Sequence, residues 1–262
     1  MKVSIVQMDV VHGDPERNER NVEAFIRKIA IGKPDVILLP EMWNTSYSLA
    51  NIREIADVEG KRTESLLAPL AKGYGINIVA GSVARLSDGK VYNTLYAFDR
   101  AGNSIAEYSK VHLFRLMEEH RYLAGGSSLC NFQLEGQPCG AVICYDIRFP
   151  EIVRSLALRG CRLLFVPAQW PRPRIEHWRT LLVARAIENQ MYVVACNRVG
   201  SGGGNEFPGH SMIIDPWGSV IGELPDGAEG VLEKEIEVEK VDEIRRRIPV
   251  FDDRRPSVYD LC

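Results

Sequence analysis

The 262-residue chain has no C-x-x-C pair, no histidines at ligand spacing, no basic excess and no apolar run approaching a membrane span. Each absence closes off a class of protein. Without a long apolar run no transmembrane segment is expected. The N-terminus, Met-Lys-Val-Ser-Ile-Val-Gln-Met-Asp, has one charge and then an apolar stretch too short and too interrupted for a signal peptide, so a soluble cytoplasmic protein with no membrane partner is expected. A net charge of −3 and a pI near 6.0 supply no field for nucleic acid. The small basic clusters, Arg245 to Arg247 and Arg254-Arg255, lie among carboxylates and read as solvated faces or contact points. Six cysteines, at 130, 139, 144, 161, 196 and 262, form no regular framework and read as free thiols of a reducing compartment. Five scattered histidines, at 12, 112, 120, 177 and 210, suggest no metal site. No linker divides the chain. Gly200 to Gly204 is short and lies between two expected strands, so it reads as a mobile loop, and residues 1–262 are expected to form a single domain.

What is present is a steady alternation of apolar strands and amphipathic helices. Val3 to Val10 reads as a strand, and Asp14-Pro15 then caps a helix whose Val22, Phe25, Ile26 and Ile29 share one face. Asp35 to Pro40 is a short apolar run, Thr63 to Tyr74 is helical, and Ile76 to Val83 is a further strand. These runs are apolar on both parities, as expected of strands covered on both faces, and the order β, α, β, α, β indicates an α/β fold. Leu95 to Gly102 and Met212 to Gly218 echo each other: each is a strand entering an Asp-x-x-Gly turn, followed by a second strand-like segment. Two such hairpins would suit two related sheets, each with an outer layer of helices.

Three residues emerge at strand ends with reactive side chains. Cys144 closes the apolar run Gly140 to Ile143 and precedes Tyr-Asp-Ile-Arg-Phe-Pro-Glu, where Pro150 suits a first helical position and Gly160 a C-terminal cap. The positive end of that helix would lower the pKa of the thiol. Glu41 follows the run Val36 to Pro40, where desolvation would raise its pKa, and Lys110 follows the expected strand Ile105 to Tyr108. Taken singly, each also has a bland reading: a small buried cysteine, an exposed glutamate just past its strand, a lysine snorkelling to water. Together they are chemically sufficient. Attack on an amide needs a thiolate, a group that moves protons and positive charge where the carbonyl oxygen becomes negative, and open α/β sheets assemble sites at strand ends.

These residues lie in motifs that resemble the carbon-nitrogen hydrolases of the nitrilase superfamily, which use a Glu-Lys-Cys triad. The likeness runs from the first strand to the C-terminus. It rests on Leu-Leu-Pro-Glu at 38 to 41, Tyr-Ser-Lys-Val-His-Leu-Phe at 108 to 114 and Gly-Ala-Val-Ile-Cys-Tyr-Asp-Ile-Arg-Phe-Pro-Glu at 140 to 151, with support from 184 to 190 and 209 to 218. The resemblance implies a four-layer αββα sandwich, a homodimer or higher homo-oligomer, and neither a metal nor an organic cofactor. It also implies a second glutamate, matching Glu119 with Glu118 as the neighbouring alternative, and an oxyanion held by Lys110 and the backbone N–H of Tyr145.

Finer features bear on the substrate. Nitrilases of the family usually place Trp-Glu after the nucleophile, whereas Tyr145-Asp146 stands here, and Tyr-Asp-Ile-Arg-Phe-Pro-Glu resembles the omega-amidase branch. The tail from Ile248 to Tyr259 adds to that likeness, which reaches to amidases associated with methionine salvage. The expected reaction is hydrolysis of a small 2-oxo acid monoamide, such as 2-oxoglutaramate, through an acyl-cysteine thioester. Alternatives are a nitrilase or N-carbamoyl amino acid hydrolase using the same site, or an idle scaffold that only binds partners. Arg148 and Tyr47 match positions that bind the substrate's remote carboxylate, and a guanidinium can pair with it bidentately. Each could instead be structural, Arg148 in an ion pair with Asp146 or Glu151 and Tyr47 as a packed aromatic. The loop Gln169 to Arg174 departs from the branch by carrying two arginines among prolines, and Trp170 within it could contact substrate or only pack.

Overall fold

A computed structural model describes residues 1–259, so Cys262 and the last residues of the tail lie outside it. Two sheets carry the molecule. The first runs, in order, Gly230–Glu235, Lys2–Gln7, Val36–Leu38, Asn77–Val79, Lys90–Phe98, Val83–Ser87 and Asp57–Val58, with Ser104–Ser109 also paired to Lys90–Phe98. The second runs Val220–Glu223, Met212–Ile214, Tyr192–Asn197, Leu163–Ala168, Gln137–Ala141 and Cys130–Leu134.

Side-chain alternation explains the layering. Val36 and Leu38 face one buried cluster with Phe165 and Val193 of the second sheet, while Ile37 and Leu39 face another with Val22, Ile26, Leu67 and Leu70 of helices Pro15–Ala30 and Lys61–Tyr74. Helices Pro150–Leu158 and Ile175–Asn189 cover the second sheet through Val153, Leu156, Trp178 and Leu182. The result is the αββα sandwich. Asp14 accepts the amide of Arg17 at 3.0 Å and Pro15 opens its helix, as the N-cap pattern requires.

The two Asp-x-x-Gly turns are genuine counterparts, one in each sheet. Asp99 Oδ1 accepts the amides of Ala101 and Asn103 at 2.9 and 2.8 Å, and Asp215 Oδ1 those of Trp217 and Ser219, both at 2.9 Å. Three expectations need correction. Gly200 to Gly204 is not a loose loop but a hairpin, Val199–Gly202 against Asn205–Pro208, turned by Gly203 and Gly204 at positive φ. Ile76 to Val83 breaks into Asn77–Val79 and Val83–Ser87, because Gly81 bends the chain at φ +58°. The strand before the cysteine ends at Ala141, two residues earlier than its apolar run.

Candidate active site

Gly81 sets the position of Glu41. A Cβ there would collide with the carbonyls of Leu39 and Pro40, so only glycine lets the two segments touch. The contact is then fastened by Ser82, whose amide donates to Pro40 O at 3.1 Å and whose hydroxyl accepts the amide of Met42 at 2.9 Å. The following turn, Met42 to Tyr47, is irregular yet wholly buried, so its polar groups must find partners inside the protein. Trp43 Nε1 donates to Ala80 O at 2.7 Å, and Asn44 Oδ1 accepts the amide of Ala84 at 2.9 Å.

Glu41, Lys110 and Glu119 meet beneath this turn with their side chains all but sealed from solvent. Lys110 Nζ donates to Glu41 Oε1 at 3.0 Å and to Glu119 Oε1 at 2.8 Å. The Tyr47 oxygen lies 2.6 Å from Glu41 Oε1 and 2.9 Å from Glu119 Oε1. One phenolic proton cannot serve both carboxylates, so a second proton is needed for two good bonds. Glu119 is suited to carry it: burial and the charge of Glu41 raise its pKa, against the opposing pull of Lys110. Its other oxygen accepts the amide of Phe114 at 3.0 Å. Glu118, the neighbouring alternative, instead sits on the surface and pairs with Arg121.

Cys144 opens a 3-10 turn, Cys144–Arg148, with φ +46°, a strained value for a residue with a side chain. Asp146 holds that turn. Its Oδ2 accepts from Ile143 N at 3.0 Å and from the Tyr108 hydroxyl at 2.7 Å, and its Oδ1 accepts from His112 N at 2.9 Å and His112 Nδ1 at 2.8 Å. The thiol does not have the lowered pKa expected from a helix dipole. The helix begins only at Pro150, beyond the 3-10 turn, and burial followed by the charge of Glu41 pushes the thiol well above its ordinary value, against the pull of Lys110. These surroundings favour the thiol over the thiolate and place it among groups that could receive its proton.

The profile of the carbon-nitrogen hydrolase family matches residues 2–246. This chain belongs to that family. It is 49% identical over 257 residues to the 2-oxoglutaramate amidase of Bacillus subtilis (strain 168), covering 98% of each chain. To omega-amidase NIT2 of Pongo abelii it is 31% identical over 268 residues, covering 98% of this chain and 96% of that one. Saccharomyces cerevisiae Nit3, a member of branch 10 of the nitrilase superfamily, shares the fold at a TM-score of 0.90 and 28% identity, covering 97% of this chain and 96% of that one.

The mouth of the pocket in this carbon-nitrogen hydrolase is built from Phe114, Cys144, Tyr145, Arg148, Trp170, Pro171 and Arg174, and its free space is only about 10 Å³, roughly enough for one water. Arg148 makes no ion pair with Asp146 or Glu151. Its Nη2 donates to His177 Nδ1 at 3.3 Å, and its guanidinium lies 4.8 Å from the Trp170 ring centre. Trp170 both packs and lines: it is buried against Trp178 and faces the pocket. Tyr47 is set apart from Arg148, since its hydroxyl is taken up by the carboxylates and its side chain is not part of the mouth.

Several residues of the site escaped sequence reasoning. Asn93 Nδ2 donates to Glu41 Oε1 at 2.8 Å, and Gln169 donates its amide to Glu41 Oε2 at 2.7 Å and its Nε2 to Glu41 O at 2.8 Å. Gln169 is oriented in turn by Arg198, fully buried, whose Nη1 donates to Gln169 Oε1 at 3.3 Å and to Ser46 Oγ at 2.9 Å. Burial brings the Arg198 pKa down to about 10, and Asp9 opposes that shift through an ion pair. Gln169 was within reach of the strand-end rule, since it directly follows Leu163–Ala168.

Proposed function

We propose that this protein hydrolyses the terminal amide of a small 2-oxo acid monoamide of the 2-oxoglutaramate class, giving the carboxylate and ammonia through an acyl-Cys144 thioester. The observation that carries this reading is the juxtaposition of a strained Cys144 with the buried Glu41–Lys110–Glu119 knot, under a mouth where Arg148 meets no carboxylate among the described residues. The 49% identity to an enzyme named for 2-oxoglutaramate supports the substrate class.

Because burial disfavours a free thiolate, attack and deprotonation are coupled. Glu41 takes the proton from sulfur as the S–C bond forms, and the carbonyl electron pair moves onto oxygen. Lys110 and the backbone N–H of Tyr145 stabilise that oxyanion. Collapse breaks the C–N bond while Glu41 returns its proton to nitrogen, and ammonia leaves. Water, deprotonated by Glu41, then attacks the thioester, and the proton held by Glu41 passes to the departing sulfur. Glu119, joined to Glu41 through Tyr47 and Lys110, holds a second proton in the cluster and keeps the two carboxylates from both being charged. Arg148 receives the remote carboxylate.

The test is a panel of 2-oxo acid monoamides, the corresponding nitriles and N-carbamoyl amino acids, read by ammonia release and intact-protein mass. The monoamides should be turned over fastest, with an acyl adduct on Cys144, and Cys144→Ala should lose activity by on the order of 10⁴-fold or more. Wild-type turnover by Cys144→Ala would refute the thioester route, and faster turnover of nitriles or carbamoyl compounds would refute the amidase reading.

A further inference from the structure

The loop after strand Leu163–Ala168 carries two arginines two residues apart, and they meet opposite surroundings. Arg172 is neutralised: its Nη1 and Nη2 lie 2.7 and 2.6 Å from the carboxylate of Asp226, and its Nε lies 2.9 Å from Glu206. Arg174 lines the pocket with Cys144 and Arg148, its guanidinium 5.3 Å from the centre of the Phe114 ring. Among the described residues neither Arg174 nor Arg148 has a carboxylate within ion-pair distance. Among these residues their compensation is limited to the faces of Phe114, Tyr145 and Trp170 and to the His177 ring. An aromatic face offsets a cation only weakly at a partly exposed site.

Two like charges bordering one small pocket repel unless an anion joins them, and burial together with the charge of Arg174 disfavours the charged form of Arg148. The backbone has a separate role, because Trp170 Nε1 donates to the carbonyl of Arg174 at 2.7 Å. The turn is thus held without the Arg174 side chain, whose guanidinium, among the described residues, rests only on the Phe114 face.

We propose that Arg174 is a specificity-determining residue, clamping with Arg148 the carboxylate that the substrate carries at the end remote from its amide. This rests on the amidase reading above and narrows it: the site selects monoamides of dicarboxylic acids against uncharged amides of the same size. A carboxylate has two oxygens and about four lone-pair directions, enough for a guanidinium on either side.

The test compares Arg174→Met and Arg148→Met with wild type on 2-oxoglutaramate and on its methyl ester, in which one added methyl group removes the negative charge, with ammonia release as the readout. Arg174→Met should raise KM for the anion by about 10- to 100-fold, with kcat little changed, and should leave kcat/KM for the ester within about twofold of wild type. The double variant should lose less than the product of the single losses, because both side chains hold one group. Arg174→Lys should recover part of the affinity. Equal losses on anion and ester would assign Arg174 a structural role, and unchanged KM for both would remove it from the substrate; either result overturns the clamp and leaves the amidase reading standing. A wild type that hydrolyses neither compound overturns the amidase reading, and the clamp falls with it.

Discussion

Within one site this protein handles charge in two opposite ways. On the floor, Glu41, Lys110 and Glu119 are sealed from solvent and satisfied by one another, by Tyr47 and Asn93, and by backbone amides. At the mouth, Arg148 and Arg174 are half-buried and, among the described residues, have aromatic faces in place of carboxylates. A buried charge tolerates no missing partner, so the floor is rigidly specified, down to the single glycine that lets the chain approach Pro40. A half-buried guanidinium can wait for its partner from solution. On the roles proposed above, the contrast separates chemistry from selection: groups that move protons are pre-paired, while groups that sort substrates are left open.

The comparison can be broken or sharpened by substitution. Lys110→Met should have the largest structural effect, because it strands two buried carboxylates. A loss of about 3–5 kcal/mol in chemical denaturation is expected, and a variant as stable as wild type would mean that the floor is not tightly paired. Glu119→Gln should have a smaller, pH-dependent effect. Folded Glu119 holds its proton more tightly than the ordinary carboxylate value of 4.5. Its contribution to stability is therefore full below that value and declines as pH rises through the higher folded pKa. The permanently uncharged glutamine should gain on wild type as pH is raised above 4.5, read from urea midpoints across pH. A constant offset between the two proteins would count against a raised Glu119. Arg172→Ala should do least. Its ion pairs are solvent-exposed, so midpoint and KM should both stay near wild type. A loss of substrate affinity matching that of Arg174→Met would erase the distinction drawn between the two arginines.

The sequence makes the floor more legible than the mouth, for physical reasons. Val36 to Leu39 is apolar on both parities because both faces are covered, and the same pattern locates Glu41 at the strand end. Cys144 and Lys110 follow by the same logic. Asn93 and Gln169 reach Glu41 from separate strands, and such cross-chain hydrogen bonds leave no periodic trace. A buried asparagine within the apolar strand Lys90–Phe98 was the available hint. The Arg172–Arg174 pair could not be resolved from spacing alone, since the difference lies in where Asp226 and Glu206 fall in space. The Gly-Gly turn at 203 and 204 closes a hairpin because both residues take positive φ, but a glycine-rich run suits an open loop equally well, so composition alone does not decide between them.

The upward shift of the Cys144 pKa has a consequence for survival of the protein between turnovers. A cysteine reacts with peroxides and electrophiles chiefly as its thiolate, and burial beside Glu41 disfavours that form of Cys144. Under the proposed mechanism, the same negative surroundings that draw off the proton during attack would slow adventitious oxidation of the free enzyme.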